Sequence, residues 1–372
     1  MRIIGYTLRF SAQPRAKNYK EDVVGPKARS KAVFRAVARS RWLVAQWGML
    51  LVGVALVVLL VTRPAIGLAL LWNVIIPIAP ALIVVAPGLW RNICPMATVS
   101  LLPQALGLAR GAFLSSRGVG NVALIGAVAL VGVVILRHAS LNANGVASAM
   151  VLTIAAAAAF GMGIRYEGRS GWCNGLCPIH VVEKLYARAP AVTFRNARCD
   201  TCRRCTVPCP DSTPAMTANR SRAALGRWVG LVFTGGFAGF VWGWFQVPDY
   251  AGALTLAEAG SCVAWPLGGA LVSLLAYWVI RSLIGDSIRA RNTLDNLCAA
   301  AAVCSYYWYR IPALVGFGEF YRTGLLYDLS STLPYAAITA VRVLTTSFFV
   351  WFLVLRPSPR RSWTTRPVTS AF

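Results

Sequence analysis

Residues 42–62, WLVAQWGMLLVGVALVVLLVT, contain no charged side chain. An α-helix needs about 20 apolar residues to cross the hydrocarbon of a bilayer, and this run supplies them. In that medium every backbone N–H and C=O must be paired within the helix or within a closed barrel, so few folds are open to such a chain. Similar runs follow at about 65–89, 121–136, 145–164, 227–247, 262–280, 296–318 and 333–355. The whole chain is 57% hydrophobic and 13% charged, with mean hydropathy +0.60. Soluble domains carry about a quarter charged residues. The expected fold is an all-α polytopic membrane protein with about eight transmembrane helices.

Two runs carry irregularities. Pro77, Pro80 and Pro87 in the second predict a kinked span. In the seventh, YYWYR at 306–310 interrupts the apolar pattern, and aromatic rings beside an arginine suggest a membrane interface.

The distribution of Arg and Lys orients the chain. Eleven basic residues precede Trp42, and eleven more lie between Arg165 and Arg227. The loops near 90–120 and 281–291 and the tail after Arg356 are also basic, whereas Arg63, Arg137 and Arg322 stand alone in the alternate loops. Positive residues collect on the cytoplasmic side, so eight spans put both termini and every basic loop there, in the inner cell membrane. The net charge of +25 follows from that bias. No nucleic-acid-reading motif accompanies it, so nucleic acid is not an expected partner. The long basic N-terminus lacks the short charged region and cleavage site of a signal peptide. The expected organisation is a basic cytoplasmic tail at 1–41 and four spans in 42–164, with Cys94 in their cytoplasmic loop. A cysteine-rich insertion at 165–226, four more spans in 227–355 and a basic tail at 356–372 complete it. The last ten or so residues read as disordered.

Six of the ten cysteines fall between Cys173 and Cys209. Cys199, Cys202, Cys205 and Cys209, followed by Pro210, have the C-x2-C-x2-C-x3-C-P spacing of a bacterial [4Fe–4S] ferredoxin. Short spacings also occur in four-cysteine zinc sites, which leaves a structural zinc-binding subunit as one alternative. By the ferredoxin rule the fourth cysteine serves another cluster. Cys177, followed by Pro178, then completes the first site with Cys199, Cys202 and Cys205. Cys173 and Cys209 remain for a second cluster, where a full half-motif would have cysteines in place of Glu167 and Ser170. Cys94, followed by Pro95, is the best supplement. Glu167, Ser170, His180, water or no ligand at all are the alternatives for the fourth position. One [4Fe–4S] cluster is expected, and the ligand set of a second is incomplete.

A C-x3-C-P motif after a membrane span, followed by C-x2-C-x2-C-x3-C-P, resembles the membrane polyferredoxin-type 4Fe–4S binding proteins. That group includes the nitrous-oxide-reductase regulatory protein, the membrane iron–sulfur subunit of periplasmic nitrate reductase systems and an oxidase-assembly protein with copper-reducing activity. The resemblance covers about 90–215. In that family C-x3-C-P commonly occurs twice, near cytoplasmic membrane ends. Here the earlier copy is reduced to Cys94-Pro95, with Trp90 where the first cysteine would stand, and only one ferredoxin half is complete. The resemblance implies a ferredoxin-like cluster loop between the fourth and fifth helices.

Other residues carry weaker signals. His138 and His180, the only histidines, fall on opposite faces of this topology, so no b-type haem is expected. His180 follows Cys177-Pro178 and could tune a cluster by a hydrogen bond. Cys262, Cys298 and Cys304 read as core packing. Arg342, inside the last span, requires a partner or a wet cavity. Arg198, Arg203 and Arg204 could dock an acidic carrier. Residues 96–116 read as an interfacial segment. The expected function is one-electron transfer, as a carrier or oxidoreductase subunit, through a cytoplasm-facing cluster. Expected partners are the bilayer, a ferredoxin, a flavodoxin or the quinone pool, and a membrane or cytoplasmic redox enzyme. The alternative is a factor that reduces or delivers metal during assembly of a metalloenzyme.

Overall fold

A computed structural model describes residues 26–112, 114–166, 171–197, 224–320, 324–356 and 364–365. The chain divides into two units, Met1–Arg41 and Trp42–Phe372. Of the first, only the helical backbone from Pro26 is described; the second holds everything below.

Twelve helices order the described residues, several of them ending in a π-helical turn. Long α1 (Pro26–Thr62) is followed by α2 (Pro64–Val85). Three short helices come next: α3 (Pro87–Ile93), α4 (Pro95–Val99) and α5 (Leu102–Ala105). Then come α6 (Ser116–Leu136), α7 (Gly145–Arg165) and the short α8 (His180–Tyr186). The last four are α9 (Ala224–Trp244), α10 (Leu256–Leu283), α11 (Ile288–Leu314) and α12 (Tyr335–Val350).

Among the described residues, seven helical segments are long and apolar enough to cross a membrane: Arg41–Thr62, Pro64–Val85, Arg117–Leu141, Gly145–Arg165, Ala224–Trp244, Leu256–Leu283 and Tyr335–Leu355. Their outward residues, among them Val58, Ile154, Val272 and Leu344, are large, apolar and exposed, as a lipid-facing surface requires. The expected seventh span is the exception. Its first part, to Leu314, lies in α11, which is long enough to cross but carries Asp295 and Arg310 buried inside it.

The reason α11 is polar lies in α2. The prolines break α2 as expected: residues Ala69–Ile75 are π-helical, Pro80 sits inside the helix, and Ala86 leaves helical geometry at φ −140° and ψ 60° before Pro87 restarts the chain. The Tyr307 hydroxyl enters the opened ladder, donating to the Pro77 carbonyl at 2.7 Å and accepting from the Ala81 N–H at 2.9 Å. One turn on, Arg310 Nη2 donates to the Trp72 carbonyl at 2.6 Å and to Asn73 Oδ1 at 2.7 Å. A kinked helix inside hydrocarbon must have its freed backbone groups met by neighbours. Within the YYWYR stretch Tyr307 and Arg310 are therefore buried in the bundle, with Arg310 3% exposed, while Trp308 faces outward.

The main core joins Ile83 and Val84 of α2, Val181, Val182, Leu185 and Tyr186 around α8, Phe233 of α9, Val303 of α11 and Phe352. Thus residues 172–186 do not stand off as a polar loop; their apolar face fills the bundle. Residues 96–112 form two short helices and an extended piece whose Ala112 N–H donates to the Arg165 carbonyl at 3.0 Å. Cys262 is buried and Cys304 half-buried. Arg342 donates from Nε to the Trp308 carbonyl at 3.0 Å and from Nη1 to the Tyr335 hydroxyl at 3.1 Å, so its partners are neutral groups. One small parallel pairing, β1 (Phe194–Arg195) with β2 (Thr364–Thr365), corrects the expectation of a disordered tail at those two positions. Backbone pairing holds them.

Helices α9 and α10 meet along small residues. A Cβ at Gly239 would run into the Gly269 carbonyl, and one at Gly243 into the Trp265 carbonyl. Only glycine lets the backbones approach this closely. Gly239→Leu is expected to lower stability by about 1–3 kcal/mol, read as earlier thermal unfolding in detergent. Gly260→Ala, at an exposed helical site with open space around it, should instead raise the transition slightly, since alanine favours the helix by up to about 1 kcal/mol.

Candidate functional site

Two Cys-Pro junctions define the candidate site. A residue before proline is driven out of the α region, and proline itself suits the first helical turn because its missing N–H is not needed there. Cys94 accordingly ends α3 with φ −55° and ψ 122°, and Pro95 opens α4. Cys177 ends the π-helical turn Trp172–Leu176 with φ −56° and ψ 123°, and Pro178 leads into α8. The two junctions share one backbone shape. Each cysteine N–H bonds back to a tryptophan carbonyl, Trp90 at 3.0 Å for Cys94 and Trp172 at 2.9 Å for Cys177.

A buried ion pair ties them together. Arg91 Nε donates to Glu183 Oε1 and Nη2 to Oε2, the latter at 2.7 Å. The two side chains are 3% and 6% exposed. The remaining arm, Nη1, donates to Asn174 Oδ1 at 3.1 Å. The guanidinium fork thus spans from the helix before Cys94 to the turn before Cys177 and the helix after it. Such bidentate geometry gives direction as well as attraction. Next to it, the fully buried Asn92 accepts from the Ala197 N–H at 3.1 Å through Oδ1. That bond holds the chain two residues before Cys199. On the other side, α6 presses on the turn at Gly126, where a Cβ would come within 2.9 Å of the Leu176 carbonyl oxygen.

The titration of Cys177 reflects this crowding. Burial pushes its thiol well up, and Cys173 and Cys94 push it the same way. Cys94 and Cys173, from two different junctions, therefore both act electrostatically on Cys177. His180 behaves conversely. Burial, then Lys184 and Arg91, hold its imidazole well below its ordinary range, while a hydrogen bond to the Cys173 backbone opposes them. Its Nδ1 is buried with no hydrogen-bond partner among the described residues, a lone pair aimed at no protein donor.

The structure brings Cys94, Cys173 and Cys177 into one electrostatic neighbourhood. Cys199, Cys202, Cys205 and Cys209 lie outside the described residues, as do Glu167, Ser170, Arg198, Arg203 and Arg204. Among the described residues, no group of three or more His, Cys, Asp or Glu side chains is placed to hold a metal ion. Sequence reasoning missed the Arg91–Glu183–Asn174 clamp, although W-x-N occurs in both Trp90-Arg91-Asn92 and Trp172-Cys173-Asn174 and marks both turns. No family model, curated protein or solved structure matches this chain.

Breaking the clamp from one side leaves a buried unpaired charge, which costs about 3–5 kcal/mol. Glu183→Gln is expected to destabilise the protein by that order, and Arg91→Met with Glu183→Leu together should recover most of the loss in thermal unfolding.

Proposed function

We propose that this chain is a membrane-anchored iron–sulfur electron-transfer protein of the polyferredoxin type. The observation that carries the reading is the clamped pair of Cys-Pro junctions, with Cys94 and Cys173 acting on Cys177 and Asn92 fixing the approach to the cysteine string. The donor chemistry fits: thiols that burial and neighbouring cysteines keep protonated would be deprotonated on ligating a cationic iron centre, whose charge offsets their repulsion. Cys177, Cys199, Cys202 and Cys205 would hold the first [4Fe–4S] cluster, and Cys94, Cys173 and Cys209 would contribute to a second. A bound cubane supplies reversible one-electron transfer.

The remaining roles belong to the chain's own residues. Arg91 and Glu183 hold the junctions at a fixed separation. The core residues of α8 exclude water from one side of the site. The unpartnered His180 Nδ1 can accept a hydrogen bond or serve as a ligand. Arg198, Arg203 and Arg204 offer positive charge to an acidic carrier such as a ferredoxin or flavodoxin. A membrane redox enzyme or the quinone pool would take the other side of the exchange.

Iron and sulfide analysis of anaerobically purified protein, with EPR after dithionite reduction, tests this. About eight irons per chain falling to about four in Cys94→Ala supports two clusters, and about four in both leaves Cys94 structural. Zinc without iron, or no cubane signal, sinks the proposal.

We further propose that α11 crosses the bilayer as an eighth span, with both termini and the cysteine loop cytoplasmic in the inner membrane. Reporter fusions at Asp286 and Leu326 should then report opposite sides, with Asp286 cytoplasmic. Fusions on one side would return α11 to a non-spanning position.

A further inference from the structure

A cavity of about 320 Å³ lies among α2, α6, α7, α9 and α11. Its walls are almost wholly apolar, formed by residues such as Ile83, Leu130, Leu152, Phe240 and Val241. Cys177 and Pro178 border one part of it, and Arg137, Arg310 and Trp244 another. Arg137 stands eleven residues beyond Gly126, where α6 touches the Cys177 turn, or about 16 Å along the helix axis. Interiors are close-packed, with few voids larger than a water molecule, and a dry apolar void draws in apolar ligands.

The arginine end is charged and built. Arg137 is 5% exposed, donates from Nη1 to Asp249 Oδ1 at 2.9 Å, and lies over the Trp244 ring at 4.8 Å. His138 shares the same carboxylate oxygen through Nδ1 at 2.6 Å and meets the Trp244 carbonyl through Nε2 at 2.8 Å. Burial pushes the Asp249 carboxyl up, but Arg137, the His138 hydrogen bond and Arg310 outweigh it and hold the group below its usual range. Its negative charge is thus already engaged. Arg310 forms no ion pair among the described residues; its acceptors on α2 are a backbone carbonyl and an amide oxygen. Around a small adjoining cavity, Glu319 forms no ion pair among the described residues, and Arg342 adds a third guanidinium. Among the described residues, two guanidiniums, Arg137 and Arg310, border the apolar cavity, and the Asp249 carboxylate pairs with Arg137, which leaves a positive surplus beside hydrocarbon-like walls. A buried charge of this kind calls for a counter-anion.

We infer that the cavity binds the hydrocarbon chain of an acidic amphiphile, its carboxylate or phosphate head set against Arg310 and Arg137. The apolar walls take the chain by area burial, and the surplus charge selects the head. A neutral head could accept the hydrogen bonds but would leave the charge uncompensated. The head site at Arg310 and Arg137 lies at a different part of the cavity wall from Cys177.

The test uses the full chain in phosphatidylcholine nanodiscs, titrated with oleate, oleyl alcohol, phosphatidylglycerol and a neutral short-chain quinone. Native mass spectrometry and the thermal transition are the readouts. Oleate or phosphatidylglycerol should bind, oleyl alcohol and the quinone at least about tenfold more weakly, and Arg310→Gln should lose about tenfold for the acids alone. Oleate alone would identify a fatty acid as the source; phosphatidylglycerol, a phospholipid headgroup. Leu152→Trp, which fills the chain site and leaves Arg310 in place, should abolish acid binding and decides the matter if Arg310→Gln does not fold. Equal binding of the alcohol or the quinone, or undiminished acid binding in Leu152→Trp, overturns the inference.

Discussion

The buried pair of Arg91 and Glu183 organises the cysteine end of the molecule. Each residue sits on a short helix flanking a Cys-Pro junction, and neither helix is long enough to be stable alone. Their relative placement therefore depends on the bond between them and on what they bury. The carboxylate accepts two donors and the guanidinium spends its third arm on Asn174. Around this bond, α8 contributes Val181, Val182 and Leu185 to the main core, so that a segment adjoining two cysteines is also a packing element of the membrane helices. Rigidity at the thiols and cohesion of the bundle come from the same residues.

A second constraint runs through α2. Its prolines and π-helical stretch open the backbone ladder in a setting where open ladders are costly. Tyr307 and Arg310, one turn apart on α11, close it again. Repairing α2 makes α11 polar, and the polarity of α11 in turn places a guanidinium beside the apolar cavity. The irregular helix and the charged cavity end are one arrangement.

The membrane helices were legible because long uncharged runs leave no alternative to burial in lipid or protein. The proline-driven break in α2 and the shape of both Cys-Pro junctions were legible for a local reason: proline restricts its own residue and its predecessor. The clamp was not. Arg91 and Glu183 are separated by 92 positions, and nothing periodic or local links them, so Arg91 looked like one more basic loop residue. The partners of Tyr307 and Arg310 were hidden for a related reason. Aromatic and cationic residues have the same composition whether they face headgroups or mend a neighbouring helix, and only the partner distinguishes the two. The Gly235, Gly239 and Gly243 repeat was readable as a small-residue stripe, but its meaning depended on Gly269 and Trp265 across from it.

The pairing of Phe194–Arg195 with Thr364–Thr365 has a consequence for the order of assembly. The second strand follows α12 in the chain, so it emerges only after all the described helices have been made. Until then, the segment leading to Cys199 has the Asn92 amide bonded to Ala197 and the Phe194 ring against Trp42, without its partner strand. Synthesis thus contains an interval in which this strand has no backbone partner. Arrival of Thr364 and Thr365 ends it, so that completion of the membrane bundle and pairing of this strand are coupled in time by the direction of translation itself.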